Sequence, residues 1–250
     1  MRDISHFIHD KAEQKKRIEE KRELILQFLA AETFSTSEII SSLLSISRVA
    51  AYKTLKSMER EDLVRLYEIE YELAQKGKQT IWGLTPTGAL LAADLDDFNV
   101  DYFEVGRIAT STIAHSIAVQ RIKVLGLKKG WTEWQSGKKM RQLANKYKKT
   151  WIQIPDSLAL SPDRKKTAFE IERTVKTPKR YDAILSNYAV MFLEKTVDEV
   201  LYICPPKIAT RLEVLFSKIN KIVIDGKDYP VHENVRKRIK FLSYEDWSNE

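Results

Sequence analysis

The 250-residue sequence predicts a chain that is α+β overall, with a helix-and-hairpin part followed by an α/β part. Three observations carry that expectation. Apolar residues recur at helical spacing through most of the first 60 positions, and from about residue 100 short β-rich runs alternate with helical stretches. Gly and Pro are scarce, at 8 and 7 residues, so long Gly-rich linkers are not expected. The acidic stretch Asp94, Asp96, Asp97 marks a boundary, giving domains of residues 1–98 and 99–250.

The elements follow in order. Residues 9–32 read as a helix with Ile18, Ile25, Phe28 and Leu29 on one stripe. In Ser35-Thr36-Ser37-Glu38 a hydroxyl N-cap and a Glu able to close a capping box open a short helix to Leu44. After the turn Ser45-Ile46-Ser47, a third helix passes Val49, Tyr52, Leu55 and Met58 to about Asp62. Leu63–Glu72 and Thr80–Leu84 are β-rich runs joined by a Gly-containing turn at 74–79. Helix, short helix, turn, helix, hairpin is the order of a winged helix-turn-helix. Its recognition helix would expose Arg48, Tyr52, Lys53 and Lys56, and Lys76 and Lys78 would tip the wing. Winged helices also serve as dimerisation and docking modules, and residues 1–100 carry 14 basic against 17 acidic side chains, so that alternative stays open. The second part reads as a helix at 108–124, strands at 131–135, 152–160 and 167–173, and a helix at 180–194. A strand at 199–204, a helix at 207–219 and a strand at 239–243 complete it.

The chain has 42 Lys and Arg against 35 Asp and Glu, a net charge of +7. The surplus is local. Residues 121–149 hold ten basic residues, Lys138, Lys139, Arg141, Lys148 and Lys149 among them, and only Glu133 on the acidic side. Such a block neutralises phosphates and releases counterions; the alternative is a solvated loop and helix face. A single Cys, Cys204, excludes a disulfide framework and any zinc site of several Cys, and suits a reducing compartment. No apolar run reaches about 18 residues and no secretory signal is visible, so a cytoplasmic protein without membrane insertion is expected.

Candidate chemistry centres on three acids. Side chains alternate along a strand, so Glu170 and Glu172 share a face opposite Phe169 and Ile171. Asp156 falls among Ile152, Ile154, Leu158 and Leu160, where a carboxylate is costly unless compensated. The turn at 161–166 suits a hairpin that sets Asp156 beside Glu170, and a divalent cation between them would remove their repulsion. Hard oxygen ligands select Mg²⁺ or Mn²⁺. The alternative places Glu170 and Glu172 on a solvated edge, paired with Arg173, Lys176 or Lys179. Tyr181 and Tyr188 are two helical turns apart and share a face that packs on the sheet. Trp131 and Trp134 should point to opposite sides of one strand, with core packing the default for both.

Pro155-Asp156 followed by Glu170-Ile171-Glu172 resembles the PD-(D/E)XK motif of restriction-endonuclease-like nucleases. Together with Ala114-His115-Ser116, Trp131-Thr132-Glu133-Trp134 and Lys179-Arg180-Tyr181 after a winged helix, it resembles the MobC-type mobilisation relaxases of the replication-relaxation group. The resemblance implies a metal-dependent nickase acting on plasmid DNA at a transfer origin to start conjugative mobilisation, with an accessory mobilisation or coupling protein as a further partner. It implies that Asp156 and Glu170 are metal ligands, with Glu133 a third acid near the metal, and it includes His115. Glu172 stands where nucleases place Lys; Lys176 is the nearest replacement, which would leave Glu172 as a further ligand. A covalent mechanism with Tyr181 as nucleophile is the alternative chemistry. A non-catalytic DNA-binding or replication-accessory protein, or a winged-helix transcription regulator, is the alternative class.

Overall fold

The computed structural model describes residues 10–69, 79–93, 102–104, 106, 109–148 and 150–249. The chain divides into two compact units, Met1–Gln120 and Arg121–Glu250.

The first unit opens with α1 (Lys11–Glu32), whose Asp10 cap accepts from Ala12 N and whose buried residues, Ile25, Leu26, Phe28 and Leu29, lie toward its C-terminal end. Ile18, expected on the buried stripe, is exposed. There follow β1 (Phe34–Ser35), α2 (Ser37–Leu43), α3 (Arg48–Arg60), β2 (Val64–Ile69), β3 (Gln79–Leu84), α4 (Pro86–Ala92) and α5 (Thr110–Lys128). The strands form an antiparallel sheet in the order β1-β3-β2. Thr36 caps α2 by accepting from Ile39 N. Glu38 is then the second helical residue, one short of the position from which it would close the expected box. Ser35 is displaced into β1, where its hydroxyl donates to Gln120 Oε1 at 2.8 Å. Gln120 Nε2 donates to Phe34 O at 2.7 Å, and Ile113 packs with Phe34, Ile81 and Phe103. These bonds tie the part of α5 up to Gln120 to the sheet of the first unit. At Gly88, a Cβ would lie 1.8 Å from Leu63 O, so α4 can seat on the start of β2 only without a side chain there.

In the second unit β4 (Thr132–Ser136), α6 (Gly137–Tyr147), β5 (Ser157–Leu160) and β6 (Lys166–Ile171) lead to α7 (Pro178–Leu193) and β7 (Glu199–Cys204). Then come α8 (Pro206–Ser217), the hairpin β8 (Lys221–Ile224) and β9 (Lys227–Pro230), α9 (Glu233–Arg236), β10 (Ile239–Ser243) and α10 (Tyr244–Asn249). The five-stranded sheet has the order β10-β7-β6-β5-β4. β4, β5 and β6 form an antiparallel meander. β6, β7 and β10 run parallel, and the connections between them contain α7 and α8, as parallel pairs require a crossover.

Alternation sends Ala168, Val200 and Tyr202 into the core made by α7 and α8 with Tyr181, Tyr188, Leu212 and Phe216. Phe169 faces the other way, against Trp131, Trp134 and Trp247. The two Trp therefore share a side, contrary to expectation. The β4–β5 register shifts between Thr132 and Gln135, and Glu133 takes φ +53°, so a bulge adds one residue and reverses the alternation between positions 131 and 134. The strand expected at 152–160 begins only at Ser157, because Pro155 has no N–H to give a ladder.

Candidate functional site

Pairing of Ser157 with Phe169 brings Asp156, one residue before β5, level with Glu170 on β6. Asp156 Oδ2 accepts from Ile171 N at 2.8 Å, which ties the loop to the neighbouring strand. Glu170 and Glu172 are each only 6% exposed, so the edge is not solvated, although Glu172 does make the Lys176 pair that this alternative named. α7 lies over them, and its two tyrosines take one acid each. Tyr188 Oη donates to Glu170 Oε1 at 2.5 Å, and Tyr181 Oη donates to Glu172 Oε2 at 3.3 Å. Their seven-residue spacing thus packs the helix and also satisfies the acids.

Burial first, and then the charge of Asp156, pushes the Glu170 carboxyl up to about 7, with Tyr188, Lys176 and Gln153 pulling the other way. Burial also pushes the Tyr181 phenol up to about 12 and holds Tyr188 well above its ordinary range. Tyr181 is fully enclosed beside the Glu172 carboxylate, which opposes a phenolate nucleophile, while Lys176 N, donating to its oxygen at 3.0 Å, pulls the other way. Lys176 Nζ pairs with Glu172 Oε2 at 2.5 Å. Glu172 is committed to Lys176 and Tyr181, so the acid in the motif's Lys position holds a Lys supplied four residues later.

Glu133 stands apart from these acids. It is exposed, in the bulge between Thr132, paired with Leu160, and Gln135, paired with Leu158. At about 3.3 Å per residue, that is roughly 10 Å along the sheet from Asp156. Sequence spacing could not show this, because the bulge is invisible to it. His115 is half-buried on the part of α5 that belongs to the first unit, whereas the acids belong to the second.

The basic block contains α6, a helix absent from the elements expected of the sequence. Ser136 caps it by accepting from Lys139 N at 3.2 Å, and Met140 is its buried anchor. Gly137 N donates to Asp156 O at 2.8 Å, and a Cβ on Gly137 would lie 2.6 Å from Pro155 O. The helix carrying Lys138, Lys139 and Arg141 therefore starts directly on the Pro155-Asp156 segment. Lys138 is half-buried, while Lys139, Arg141 and Lys148 are exposed, Lys148 as a left-handed C-cap. Lys149 lies outside the described residues, as do Lys76 and Lys78. In the first unit Arg48, Tyr52 and Lys53 are exposed along α3. Lys56 is half-buried, pairs with Glu59 at 2.6 Å and lies over the Trp82 ring.

Sequence reasoning missed Gln153 and Asn187. Gln153 Nε2 donates to Glu170 Oε1 at 3.2 Å, and Asn187 Nδ2 donates to Gln153 Oε1 at 3.3 Å. The one available signal was their polarity among apolar neighbours, which does not show what they bind.

Asp156 and Glu170 supply hard oxygens that repel each other, the donor chemistry that suits a divalent cation. Among the described residues no group of three or more His, Cys, Asp or Glu is placed to hold a metal. Two carboxylates still fit Mg²⁺, which keeps several waters and takes substrate phosphate oxygens as ligands. Among the described residues no helix is long and apolar enough to cross a membrane.

Fold and site together define an α+β protein with paired acids, Glu170 buried and Asp156 half-buried, beside a basic helix. The replication-relaxation family model matches residues 26–199, and the chain belongs to that family. No curated protein matches it. Among solved structures, a double-mutant apo form of Lactococcus lactis ZitR is similar at 26% identity and a TM-score of 0.25. That similarity covers 32% of this chain and 58% of that one.

Proposed function

We propose that this protein is a metal-dependent, site- and strand-specific DNA nickase that acts at a plasmid transfer origin to start mobilisation. The observation that carries the reading is the pairing of Asp156 with Glu170 on adjacent strands, with Lys176 held beside them by Glu172. The meander, crossover helix and parallel strand from β4 to β7 support a restriction-endonuclease-like second unit. The order α1, α2, α3 and hairpin, with an exposed cationic face on α3, supports a winged helix that positions duplex DNA.

Asp156 and Glu170 would hold Mg²⁺ or Mn²⁺. The cation when bound supplies Lewis-acid polarisation of the scissile phosphate and a more acidic water. Lys176 stabilises negative charge growing on the phosphate, and Glu172 orients that ammonium. The cations of α6 hold the strand's phosphates where the helix meets Asp156. Membership of the replication-relaxation family supports a plasmid setting, with an accessory mobilisation or coupling protein as further partner.

The test is relaxation of supercoiled plasmid carrying the cognate origin, with Mg²⁺ or Mn²⁺, by the full chain and by Asp156→Ala and Glu170→Ala. Metal-dependent relaxation lost in both variants is expected; relaxation that survives both rules out the site. A second reading, a DNA-binding replication-accessory protein on a degenerate nuclease fold, is favoured by Glu172 in the Lys position. Origin binding without relaxation under any metal would establish it.

A further inference from the structure

We infer that Gln153, itself oriented by Asn187, acts with Tyr188 as a positioning residue that presents Glu170 to a divalent cation through one oxygen only, Oε2. The inference rests on the reading of Asp156 and Glu170 as metal ligands. Both observed donors converge on the same atom: Tyr188 Oη at 2.5 Å and Gln153 Nε2 at 3.2 Å both bond Glu170 Oε1. Asn187 Nδ2 donates to Gln153 Oε1 at 3.3 Å, which favours the amide orientation that turns Gln153 Nε2 toward Glu170.

Glu170 Oε2 makes no hydrogen bond among the described residues. Nor is it among the fully enclosed side-chain atoms that lack a partner among the described residues, Trp134 Nε1 and Tyr202 Oη. Oε2 is thus not completely enclosed and is the oxygen left for a cation, while Oε1 is taken by two donors. A carboxylate pinned this way binds end-on and resists turning to chelate with both oxygens. End-on binding suits the strict octahedra of small cations; Ca²⁺ accepts two-oxygen chelation and looser geometry. The three polar side chains therefore set ion selectivity as well as affinity.

Mn²⁺ and Ca²⁺ binding to the full chain, measured without DNA by calorimetry and by the electron paramagnetic resonance of free Mn²⁺, tests this. Gln153→Ala and Tyr188→Phe are expected to weaken Mn²⁺ binding by about 10-fold or more, as loss of a ligand's hydrogen-bond partner does, and Ca²⁺ binding by less. The preference for Mn²⁺ over Ca²⁺ should fall accordingly. Asn187→Ala should weaken Mn²⁺ binding in the same direction, and add nothing once Gln153 is replaced by Ala. Gln153 is only partly buried, so its variant carries the test if Tyr188→Phe fails to fold. Wild-type affinity and selectivity in Gln153→Ala and Tyr188→Phe, alongside lost binding in Glu170→Gln, would overturn the positioning role and leave the metal site standing. Undiminished binding in Glu170→Gln would remove the metal site itself. Additive losses from Gln153 and Asn187 would overturn the relay.

Discussion

Replacing Glu170 by Gln should make the metal-free protein more stable at alkaline pH while removing the proposed nicking. The carboxyl is pushed from its ordinary 4.5 to about 7, so the folded state prefers the protonated form and binds more protons than the unfolded state between those values. A raised carboxyl contributes no penalty below about pH 4.5. Stability then falls as pH rises through the window, and the loss is complete above about 7. At roughly 1.4 kcal/mol per unit, the displacement corresponds to on the order of 3 kcal/mol of destabilisation at pH 8. The amide of Glu170→Gln would be neutral at every pH and its carbonyl can still accept from Tyr188, so most of that penalty should disappear. With roughly 2–4 °C per kcal/mol for a unit of this size, the melting temperature at pH 8 should rise by about 6–12 °C, with little change at pH 4.5. Adding Mg²⁺ at pH 8 should raise the wild-type melting temperature and leave the variant unmoved. Thermal melts from pH 4.5 to 8.5, with and without Mg²⁺, read all three effects. A wild-type stability that is flat between pH 4.5 and 7, or a variant no more stable at pH 8, would refute the reasoning.

Other outcomes follow from the same geometry. Tyr181→Phe should retain nicking in the plasmid assay, since the phenol is enclosed and its burial disfavours ionisation; complete loss with an intact fold would favour the covalent alternative. Gln120→Ala should cost about 1–3 kcal/mol for each polar group left unpaired at Phe34 O and Ser35, read by urea unfolding of the first unit. Gly137→Ala should cost about 1–3 kcal/mol or displace α6, because its Cβ meets the Pro155 carbonyl; unchanged stability together with unchanged DNA affinity would show the close approach to be dispensable. Replacing Lys139, Arg141 and Lys148 together by Ala should lower the salt slope of duplex binding by about 0.9 for each phosphate no longer neutralised; an unchanged slope would mean a solvated surface only.

Much of the fold was legible because its signals are local. α2 and α3 carry hydroxyl caps, and β7 and β10 are short apolar runs whose observed bounds are those the sequence predicts. α6 was hidden because its charge invited an electrostatic reading, although Ser136 before Gly137 and an apolar Met140 were cap and anchor in plain view. The β8–β9 hairpin was also missed, yet Asp225-Gly226, both at positive φ, is a strong two-residue turn signal. Within the candidate site, the alternation of Glu170 and the hairpin to Asp156 could be read from spacing. The separation of Glu133 by a bulge and the convergence of Tyr188, Gln153 and Asn187 depend on long-range packing, which no short window encodes.

The two tyrosines of α7 make the helix a ruler for the acids beneath it. Seven helical residues advance about 10.5 Å, whereas Glu170 and Glu172 are separated by about 6.6 Å of strand, so their hydroxyls must converge as they reach the sheet. The segment Arg173–Thr177 that sets the start of α7 therefore has a fixed length. One residue inserted there would turn the helix by about 100° and strip both acids of their partners at once. Loss of one tyrosine leaves the other acid served, but a length change in this connection is an all-or-none fault. Natural variation in residues 173–177 should therefore keep Lys176, change the other side chains freely and alter chain length hardly at all.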